Sequence, residues 1–198
     1  VDDFWQTLSV NCMAYDPTNT QVFYVGTGEH YGQGYSGSRG QGIFKTTDGG
    51  VTWSQLSGSL NFDHVRDIVV RDENGVGVVY AAIREQNYEG FTADDQGLFR
   101  STDGGQTFVQ VMDTIAGSNT GWPVSDLEIG ADNRLWVGTA DGFSTNGGIG
   151  GIGGGGRIFY SDDGVNFTLA HKRDNGDRVE IACAPSDAAV LYALIESG

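Results

Sequence analysis

The chain has 198 residues, enough for one domain with a substantial core, and its 26 acidic and 11 basic residues give a formal net charge of −15. Such a surface repels phosphate backbones, which argues against a nucleic-acid partner, and no apolar run approaches the roughly 20 residues that span a bilayer, which argues against membrane insertion. The 32 glycines, 3 prolines and abundant aromatic residues indicate strands joined by glycine-rich turns rather than disorder.

The chain begins with VDDFWQTLSV, which has neither the basic start nor the apolar stretch of a signal peptide. We therefore expect either that a leader was removed or that the sequence is an internal fragment. The two cysteines, Cys12 and Cys183, each lie in an apolar, strand-like run. They are predicted to be small buried hydrophobic residues rather than a disulfide framework.

Four short β-like runs follow in order, at 12–15, 22–27, 42–46 and 52–56. Each is rich in Tyr, Val, Phe or Trp, and their alternating or continuous apolar residues are typical of half-buried and buried strands. The first two runs are separated by DPTN, a sequence suited to a tight reversal of the chain. No segment has a helical period over twelve residues, so the chain is predicted to be all-β.

The same four-run pattern then repeats along the chain. The run GIFKTTDGGVTWSQL has a second copy in GLFRSTDGGQTFVQV and a third in RIFYSDDGVNFTLA, and a fourth unit opens at VEIACAPSD. The initial FWQTLS resembles TWSQLS at the end of the first copy, which indicates a preceding unit. Repeated four-stranded units of about 50 residues predict a β-propeller with four-stranded antiparallel blades, incomplete in this chain. A β-sandwich also has short strands, but it does not repeat one sequence for every four strands.

The predicted propeller divides into about three full blades and two partial ones. The expected division is 1–10 for the end of a preceding blade, 11–60, 61–115 and 116–172 for the full blades, and 173–198 for the start of a further blade.

The stretch TTDGGVTW and its copies follow the pattern S/T-x-D-x-G-x-T-W. This pattern resembles the Asp-box, or BNR repeat, of sialidases, xyloglucanases, sortilin-type proteins and other propellers of large secreted proteins. The resemblance implies a structural turn between the third and fourth strands of a blade, remote from any active site, with the aromatic residue packed between sheets. The matching residues are Thr46, Asp48, Gly50, Thr52, Trp53, Ser101, Asp103, Gly105, Thr107, Phe108, Ser161, Asp163, Gly164 and Phe167.

Loops between the second and third strands of each blade are long and differ in sequence, and they lie at the opposite end from the Asp-box turns. Binding residues commonly gather on such loops. Aromatic faces beside carboxylates suit sugars, whose C–H faces stack on rings while their hydroxyls bond to polar groups. The alternative is that these residues are solvated or pack on neighbouring blades. The candidate ligand-binding residues are Glu29, His30, Tyr31, Tyr35, Arg39, Arg84, Glu85, Tyr88, Glu89 and Phe91.

Catalysis would need two carboxylates about 5 to 10 Å apart, as glycosidases use. The available carboxylates are Glu29, Glu85, Glu89, Asp94 and Asp95, but the arginine motif that sialidases place near the first strand is absent. Xyloglucanases place an acidic residue before Ile-Gly-Gly early in a blade, where this chain has GTGEHYG. No catalytic residue is assigned on this basis.

Metal sites have little support in the sequence, and no cofactor is predicted. The three histidines are isolated, without the paired spacing of a zinc site. The runs DENG and TADDQ contain oxygen ligands that calcium accepts, but neither matches the twelve-residue EF-hand loop, so structural turns are the preferred interpretation.

The resemblance implies a secreted or cell-surface module with a non-catalytic recognition or structural role, and carbohydrate binding is the leading hypothesis. Its expected partners are a glycan or another protein, together with the remaining blades of the same propeller. The alternative is a glycoside hydrolase, sialidase- or xyloglucanase-like, whose other catalytic residues lie outside this chain. A third hypothesis, an assembly factor similar to the propellers of photosystem biogenesis, predicts a more basic face than this composition provides.

Overall fold

A computed structural model describes residues 9–29, 38–84, 86–88, 91–93, 96–115, 121–140 and 155–197, with the backbone alone at 86–88 and 91–93. Within these residues the regular structure is β, apart from one turn of 3₁₀ helix at Ser57–Ser59. Among them, no helix is long and apolar enough to cross a membrane.

The first two blades are four-stranded antiparallel sheets. The first sheet contains β1 Val10–Asp16, β2 Asn19–Thr27, β3 Ile43–Thr46 and β4 Ser54–Gln55, in that spatial order. The second contains β5 Val65–Glu73, β6 Val76–Ile83, β9 Gly97–Ser101 and β10 Val109–Gln110, also in chain order across the sheet. A separate hairpin, β7 Gln86–Tyr88 and β8 Phe91–Ala93, stands in the connection between β6 and β9.

The third blade is a four-stranded sheet, and two strands of a further unit follow it. The third sheet contains β11 Val124–Ile129, β12 Leu135–Thr139, β13 Arg157–Ser161 and β14 Thr168–Lys172. The last unit is the antiparallel pair β15 Gly176–Cys183 and β16 Leu191–Ser197. The predicted fold of three full four-stranded blades and a partial one is thus confirmed.

The fourth strand of the first blade is shorter than the sequence pattern indicated. The run 52–56 predicted a strand of five residues, whereas β4 covers two, Ser54–Gln55. Thr52 is excluded because both its backbone N–H and its hydroxyl bind the Asp48 carboxylate of the preceding turn. The turn therefore takes residues that the apolar pattern assigned to the strand.

The hydrophobic core lies between blades rather than within them. One buried cluster joins Tyr24 and Ile43 of the first blade to Val65 and Val79 of the second. A second cluster joins the second and third blades, and a third joins the third blade to β15 and β16. Because each sheet buries its faces against its neighbours, the stability of one blade depends on the next.

A polar network fastens the second blade to the third at the end opposite the long loops. The Tyr80 hydroxyl donates to Glu73 Oε1 at 2.5 Å, and Arg100 Nε donates to the Tyr80 oxygen at 2.9 Å. Arg100 also pairs with Glu73 through Nη2, and Arg71 Nη2 donates to the carbonyl of Asp162 in the third blade. Tyr80 is fully buried, and burial raises its pKa to about 12. These groups form a closed ionic cluster inside the interface.

Both cysteines are free thiols and half-buried, so they are less buried than the predicted small core residues. Cys12 packs against the cluster between the first two blades, where burial, followed by the negative charge of Asp67, raises the pKa of its thiol. A thiol in that state behaves as a small apolar side chain.

Candidate functional site

The sheets have two distinct ends. At one end, which we call the loop end, the second strand of each blade finishes and the third begins, so the connections 28–42, 84–96 and 140–156 start and finish there. The opposite end, the turn end, bears the Asp-Gly turns that join the third strand of each blade to the fourth.

The turn around Asp48 is held by its carboxylate. Thr46 Oγ1 donates to Asp48 Oδ1 at 2.7 Å, and the Thr52 hydroxyl donates to Oδ2 at 2.6 Å. The backbone N–H of Thr52 also donates to Oδ1, at 2.9 Å, and Gly50 provides a φ of 94°. Because these bonds favour the ionised form, above all those from Thr52, the pKa of Asp48 falls to about 2. A carboxylate engaged in this way is a turn-forming group.

The two other copies repeat this arrangement. Asp103 accepts from Ser101 and from Thr107, and the hydrogen bonds from Thr107 lower its pKa in the same way. In the third, shorter copy Asn166 takes the place of the threonine and donates from Nδ2 to Asp163 Oδ2 at 2.6 Å. The substitution of Asn for Thr therefore keeps the carboxylate bonded.

The aromatic residue of the motif does not have the same environment in all three copies. Phe108 and Phe167 pack against the two larger core clusters, between blades. Trp53 is half-buried, and its indole N–H donates to the Gly50 carbonyl at 3.2 Å, within its own turn. The stabilisation expected from Trp53 is smaller than that of a fully buried indole.

Replacement of Asp48 by alanine is expected to lower the free energy of unfolding, because the Thr52 N–H and two hydroxyls lose their shared acceptor. Asp48→Asn keeps one acceptor oxygen and should cost less. Chemical denaturation of both variants provides the measurement. Equal stability of Asp48→Ala and the unmodified protein would contradict the structural role.

At the loop end, the described candidates of the first blade are Glu29 and Arg39. Glu29 N–H donates to the Ser38 carbonyl at 2.8 Å, and Ser38 Oγ donates to Glu29 Oε2 at 3.3 Å. Arg39 Nε pairs with Asp63 Oδ1 at 2.9 Å, although more than half of the Arg39 side chain is exposed. His30, Tyr31 and Tyr35 lie outside the described residues.

In the second blade Arg84 directly follows β6, and its N–H donates to the carbonyl of His64 at 3.2 Å. Tyr88 and Phe91 are directly paired at the tip of the β7–β8 hairpin, and nothing is described of their side chains. Glu85 and Glu89 lie outside the described residues. Since Arg39 contacts Asp63 and Arg84 contacts His64, the bases of both loops converge on consecutive residues. A single surface formed by the two loops stays a prediction.

The inner edge strand of each blade has a β-bulge near its loop end. The register shifts lie between Val10 and Cys12 in β1, between Val65 and Asp67 in β5, and between Val124 and Asp126 in β11. Bulges redirect a side chain away from the regular alternation. The residues at the bulges are Asn11, Arg66 and Ser125.

Each bulge residue binds the backbone of the next blade. Asn11 Nδ2 donates to the Val65 carbonyl at 3.0 Å, and Ser125 Oγ donates to the Val179 carbonyl at 2.7 Å. Arg66 Nε donates to the Ser125 carbonyl at 3.2 Å. These bonds fix the inner strands to one another around the loop end.

Arg66 belongs to an arginine cluster that the sequence did not reveal. Its Nη2 contacts Glu180 Oε1 at 3.3 Å, and Arg178 Nε donates to the same oxygen at 2.5 Å. Burial, followed by the positive charge of Arg66, lowers the pKa of the nearby Arg84 to about 10, and Arg178 acts in the same direction. Asp177 partly opposes this shift. Arg66, Arg84 and Arg178 are therefore close enough for their charges to interact.

Asp67 and Asp126 form a second unpredicted feature, a carboxyl pair between the second and third blades. Asp67 Oδ2 accepts from the Leu127 N–H at 2.8 Å, and Asp126 accepts from the Ile181 N–H. Burial raises the pKa of Asp67 to about 7, and the adjacent Asp126 adds to this effect. The pKa of Asp126 is also raised, first by burial. The pair lines an open groove of about 600 Å³ along the inner strands.

Stability should consequently decline as pH rises from about 4 to about 7. A carboxyl with a folded pKa near 7 and an unfolded value of 3.8 binds more protons in the folded state across that interval, so deprotonation there favours unfolding. Cys12 faces Asp67 from β1 and Asp126 faces it from β11. Denaturant unfolding at pH 5 and pH 8 should show the decline, and Asp67→Asn should reduce it. An unchanged pH slope in Asp67→Asn would contradict the assignment.

Within the described part of the chain, no group of three or more His, Cys, Asp and Glu side chains is placed to hold a metal ion. The run DENG forms the β5–β6 reversal, where the Gly75 N–H donates to Asp72 Oδ1 at 2.7 Å. DENG therefore forms a turn, as the sequence predicted, whereas TADDQ lies partly outside the described residues.

Comparisons of the sequence with known proteins identify xyloglucanases as relatives. The chain is 28% identical over 118 residues to xyloglucanase Xgh74A of Acetivibrio thermocellus, a match covering 50% of this chain and 12% of the enzyme. It is 27% identical over 164 residues to a xyloglucanase of Hypocrea jecorina, covering 69% of this chain and 18% of that protein. The matches therefore span less than a fifth of either relative. No family model matches the sequence.

Solved structures share the fold over most of the chain. A GH74 enzyme of Niastella koreensis superimposes with a TM-score of 0.60 at 22% identity, covering 91% of this chain and 24% of that one. An ancestral GH74 enzyme gives 0.61 at 18% identity, with 93% and 21% covered. The extracellular domain of a putative one-component system from B. thetaiotaomicron gives 0.55 at 12% identity, with 89% and 18% covered. The fold is that of a β-propeller, of which this chain is a part.

Proposed function

We propose that this chain is part of an Asp-box β-propeller that recognises carbohydrate through its loop end, in a secreted or cell-surface protein. The observation that carries the proposal is the similarity to two xyloglucanases, which extends over 50% and 69% of this chain. The hydrogen-bonded Asp-Gly turns support the Asp-box assignment, and the likeness to an extracellular domain supports the location.

The loop end is the part of the molecule suited to a ligand. The carboxylates of the turn end are engaged within their own turns, as the bonds of Asp48 and Asp103 illustrate. At the loop end Glu29 and Arg39 lie beside long connections whose sequences differ between blades, and binding residues commonly gather on such connections. Recognition is the leading proposal because the sequence places aromatic residues beside carboxylates on these connections, a combination that suits sugars.

Further blades of the same propeller are proposed as packing partners of the last unit. Tyr192 and Leu194 of β16 are 68% and 73% exposed, respectively. In the earlier units, side chains of comparable size on the second strand, such as Tyr24 and Tyr80, are buried against the next blade. An additional blade on β16 would bury these side chains in the same way.

A glycoside hydrolase is the second candidate, favoured by the fact that both curated relatives are named as enzymes. Glu29 lies in the run GTGEHYG, just after the second strand of the first blade. This is the region in which xyloglucanases place an acidic residue before Ile-Gly-Gly. The enzyme hypothesis therefore predicts that Glu29→Gln or Glu85→Gln abolishes hydrolysis by the intact protein.

The proposal is tested with xyloglucan oligosaccharides and a wider glycan array on the intact protein. Combined Tyr35→Ala and Tyr88→Ala should abolish binding, because the stacking platforms for sugar rings are lost. Val51→Ala, which changes an exposed side chain of the turn end, serves as the control and should leave binding intact. Undiminished binding by the double variant would contradict this site. If the intact protein shows neither binding nor hydrolysis, that result would favour a structural module.

A further inference from the structure

Each blade presents an aromatic residue to the following blade from its second strand. Tyr24 of β2, Tyr80 of β6 and Trp136 of β12 occupy equivalent positions, since each lies two residues before the partner of the first paired residue after the bulge. Tyr24 and Tyr80 are 1% and 0% exposed, whereas Trp136 is half-buried. The aromatic residue of the third blade is therefore less covered than its counterparts.

A cation lies over the aromatic ring in each of the first two blades. Lys45 Nζ is 5.2 Å from the centroid of the Tyr24 ring, and the guanidinium carbon of Arg100 is 5.9 Å from that of Tyr80. In both blades the cation belongs to the third strand and is directly paired with the tyrosine. The negative face of the ring attracts the positive charge, so each cation is held on its tyrosine.

The Asp-Gly turn of the following blade covers each of these pairs. Lys45 Nζ donates to the Gly104 carbonyl, in the turn of the second blade, at 3.2 Å. In the turn of the third blade, Gly164 lies so close to the Tyr80 hydroxyl that a Cβ at this position would collide with it. Another carbonyl of that turn accepts a hydrogen bond from an arginine of the second blade. Both interfaces thus combine a turn glycine, a turn carbonyl and a cation of the preceding blade.

The third blade bears a cluster of the same kind, although its cation precedes the second strand instead of lying in the third. Trp136 is directly paired with Tyr160, and the two ring centroids are 5.5 Å apart. The guanidinium carbon of Arg134 lies 4.5 Å from the Tyr160 centroid and 5.9 Å from the Trp136 centroid. Tyr160 is half-buried, and the Arg134 side chain is 32% exposed. We call these three residues the Arg134 cluster.

Arg134 can serve a further acceptor in addition to its acidic partners. Its Nε donates to Asp162 Oδ1 at 2.7 Å and lies 4.0 Å from Asp132 Oδ2. Both contacts are made by Nε, and a guanidinium has four more N–H donors on its two Nη atoms. A backbone carbonyl is a suitable acceptor, because it brings no net charge to a site that already has two carboxylates.

We propose that the Arg134 cluster is the docking surface for the Asp-Gly turn of the unit that β15 and β16 begin. A carbonyl of that turn accepts from an Nη group of Arg134, and a turn glycine lies against the Trp136 ring. The occupant follows from continuity of the interface, since β15 packs beside Trp136 as β5 packs beside Tyr24 and β11 beside Tyr80. The inference rests on the proposed membership of this chain in a larger Asp-box propeller, and it specifies the surface that receives the next turn.

Photo-cross-linking in the intact protein tests the docking. Tyr160 is replaced by p-benzoylphenylalanine, which keeps an aromatic ring in the cluster and reacts with neighbouring C–H bonds on irradiation. Mass spectrometry should identify the cross-linked peptide as the Asp-Gly turn that follows β16. The same replacement at Lys45 is the positive control, since it should cross-link to the turn that contains Gly104. Replacement at Val51, which is 81% exposed at the turn end, should give no cross-link.

Labelling of the unmodified protein is a second measurement that needs no variant. Arg39 is the matched control for Arg134, because each pairs with an aspartate through Nε. Their exposed fractions of 59% and 32% predict phenylglyoxal reaction rates of the same order. With the turn docked, Arg134 should instead react at least roughly tenfold more slowly than Arg39, since the interface must open first.

Absence of a cross-link from Tyr160 to that turn while the Lys45 control succeeds, or similar reaction rates for Arg134 and Arg39, would overturn the inference. Hydroxyl-radical labelling of Tyr192 separates this failure from failure of the larger proposal. If Tyr192 is protected while Arg134 reacts freely, a further blade covers β16 without a docked turn, so the inference fails and the proposed propeller stands. Free reaction of both side chains would contradict both.

Discussion

Glu73→Ala is expected to lower the free energy of unfolding by about 3–5 kcal/mol, the range for removing one partner of a buried ionic cluster. The Glu73 carboxylate accepts from Tyr80 and Arg100, and Arg71 Nη1 lies 3.7 Å from Oε1. The side chains of Arg71 and Arg100 are 9% and 21% exposed. Without Glu73, two positive charges and a phenol remain in the interface with no shared anion, and their mutual repulsion favours unfolding.

The control for this effect is the exposed ion pair of Lys172 and Asp174, whose side chains are 47% and 84% exposed. Asp174→Ala should change stability far less than Glu73→Ala does, since solvent screens the pair. Guanidinium chloride is unsuitable because its salt screens charges, so urea denaturation provides the measurement. Similar losses for Glu73→Ala and Asp174→Ala would show that the buried cluster contributes little.

The fold could be predicted because the motif that identifies it lies within a short stretch of the chain and recurs in each blade. The motif around Asp48 recurs around Asp103, and both copies form the same turn through bonds spanning four residues. Repetition of such a unit identifies the blade before any long-range contact is known. The third copy, with Asn166 in place of threonine, was recognised for the same reason.

The contacts between blades could not be predicted, since they join residues far apart in the chain. Arg71 binds the carbonyl of Asp162, 91 residues away, and Arg66 reaches Glu180 across 114 residues. Nothing in the local sequence around Arg66 distinguishes it from an ordinary strand residue. Its direction is set by the bulge in β5, which the apolar alternation does not reveal.

For the candidate site, the sequence predicted which end of the sheets bears the long loops, and the ligand-binding residues on those loops stay a prediction. The long loops, whose sequences differ between blades, indicated this end of the sheets. In the structure the bases of the first two loops contact the consecutive residues Asp63 and His64. The arginine cluster and the pair formed by Asp67 and Asp126 could not be predicted, because their contacts join residues of different blades. A weak signal existed in the repeated V-x-D of VRD and VSD, which marks the bulges of β5 and β11.

Gly164→Ala is expected to destabilise the protein by about 2–5 kcal/mol through the same interface between the second and third blades. Gly164 has a φ of 78°, and a Cβ there would meet the Tyr80 hydroxyl and lie 2.8 Å from Tyr80 Cζ. The left-handed backbone costs about 1–2 kcal/mol for a residue with a Cβ. Overpacking against the buried ring adds roughly 1–3 kcal/mol, because Tyr80 is held by Glu73 and Arg100 and cannot easily withdraw.

Gly75→Ala separates the two contributions. Gly75 has a φ of 83°, close to that of Gly164, but a Cβ there meets no atom within 4 Å. It should therefore incur the backbone cost alone, and the difference between the two variants measures the steric contact between blades. Tyr80→Phe, which removes the clashing hydroxyl, should reduce the cost of Gly164→Ala without altering that of Gly75→Ala. The same loss for Gly164→Ala in both backgrounds would show that the turn of the third blade does not press on Tyr80 of the second.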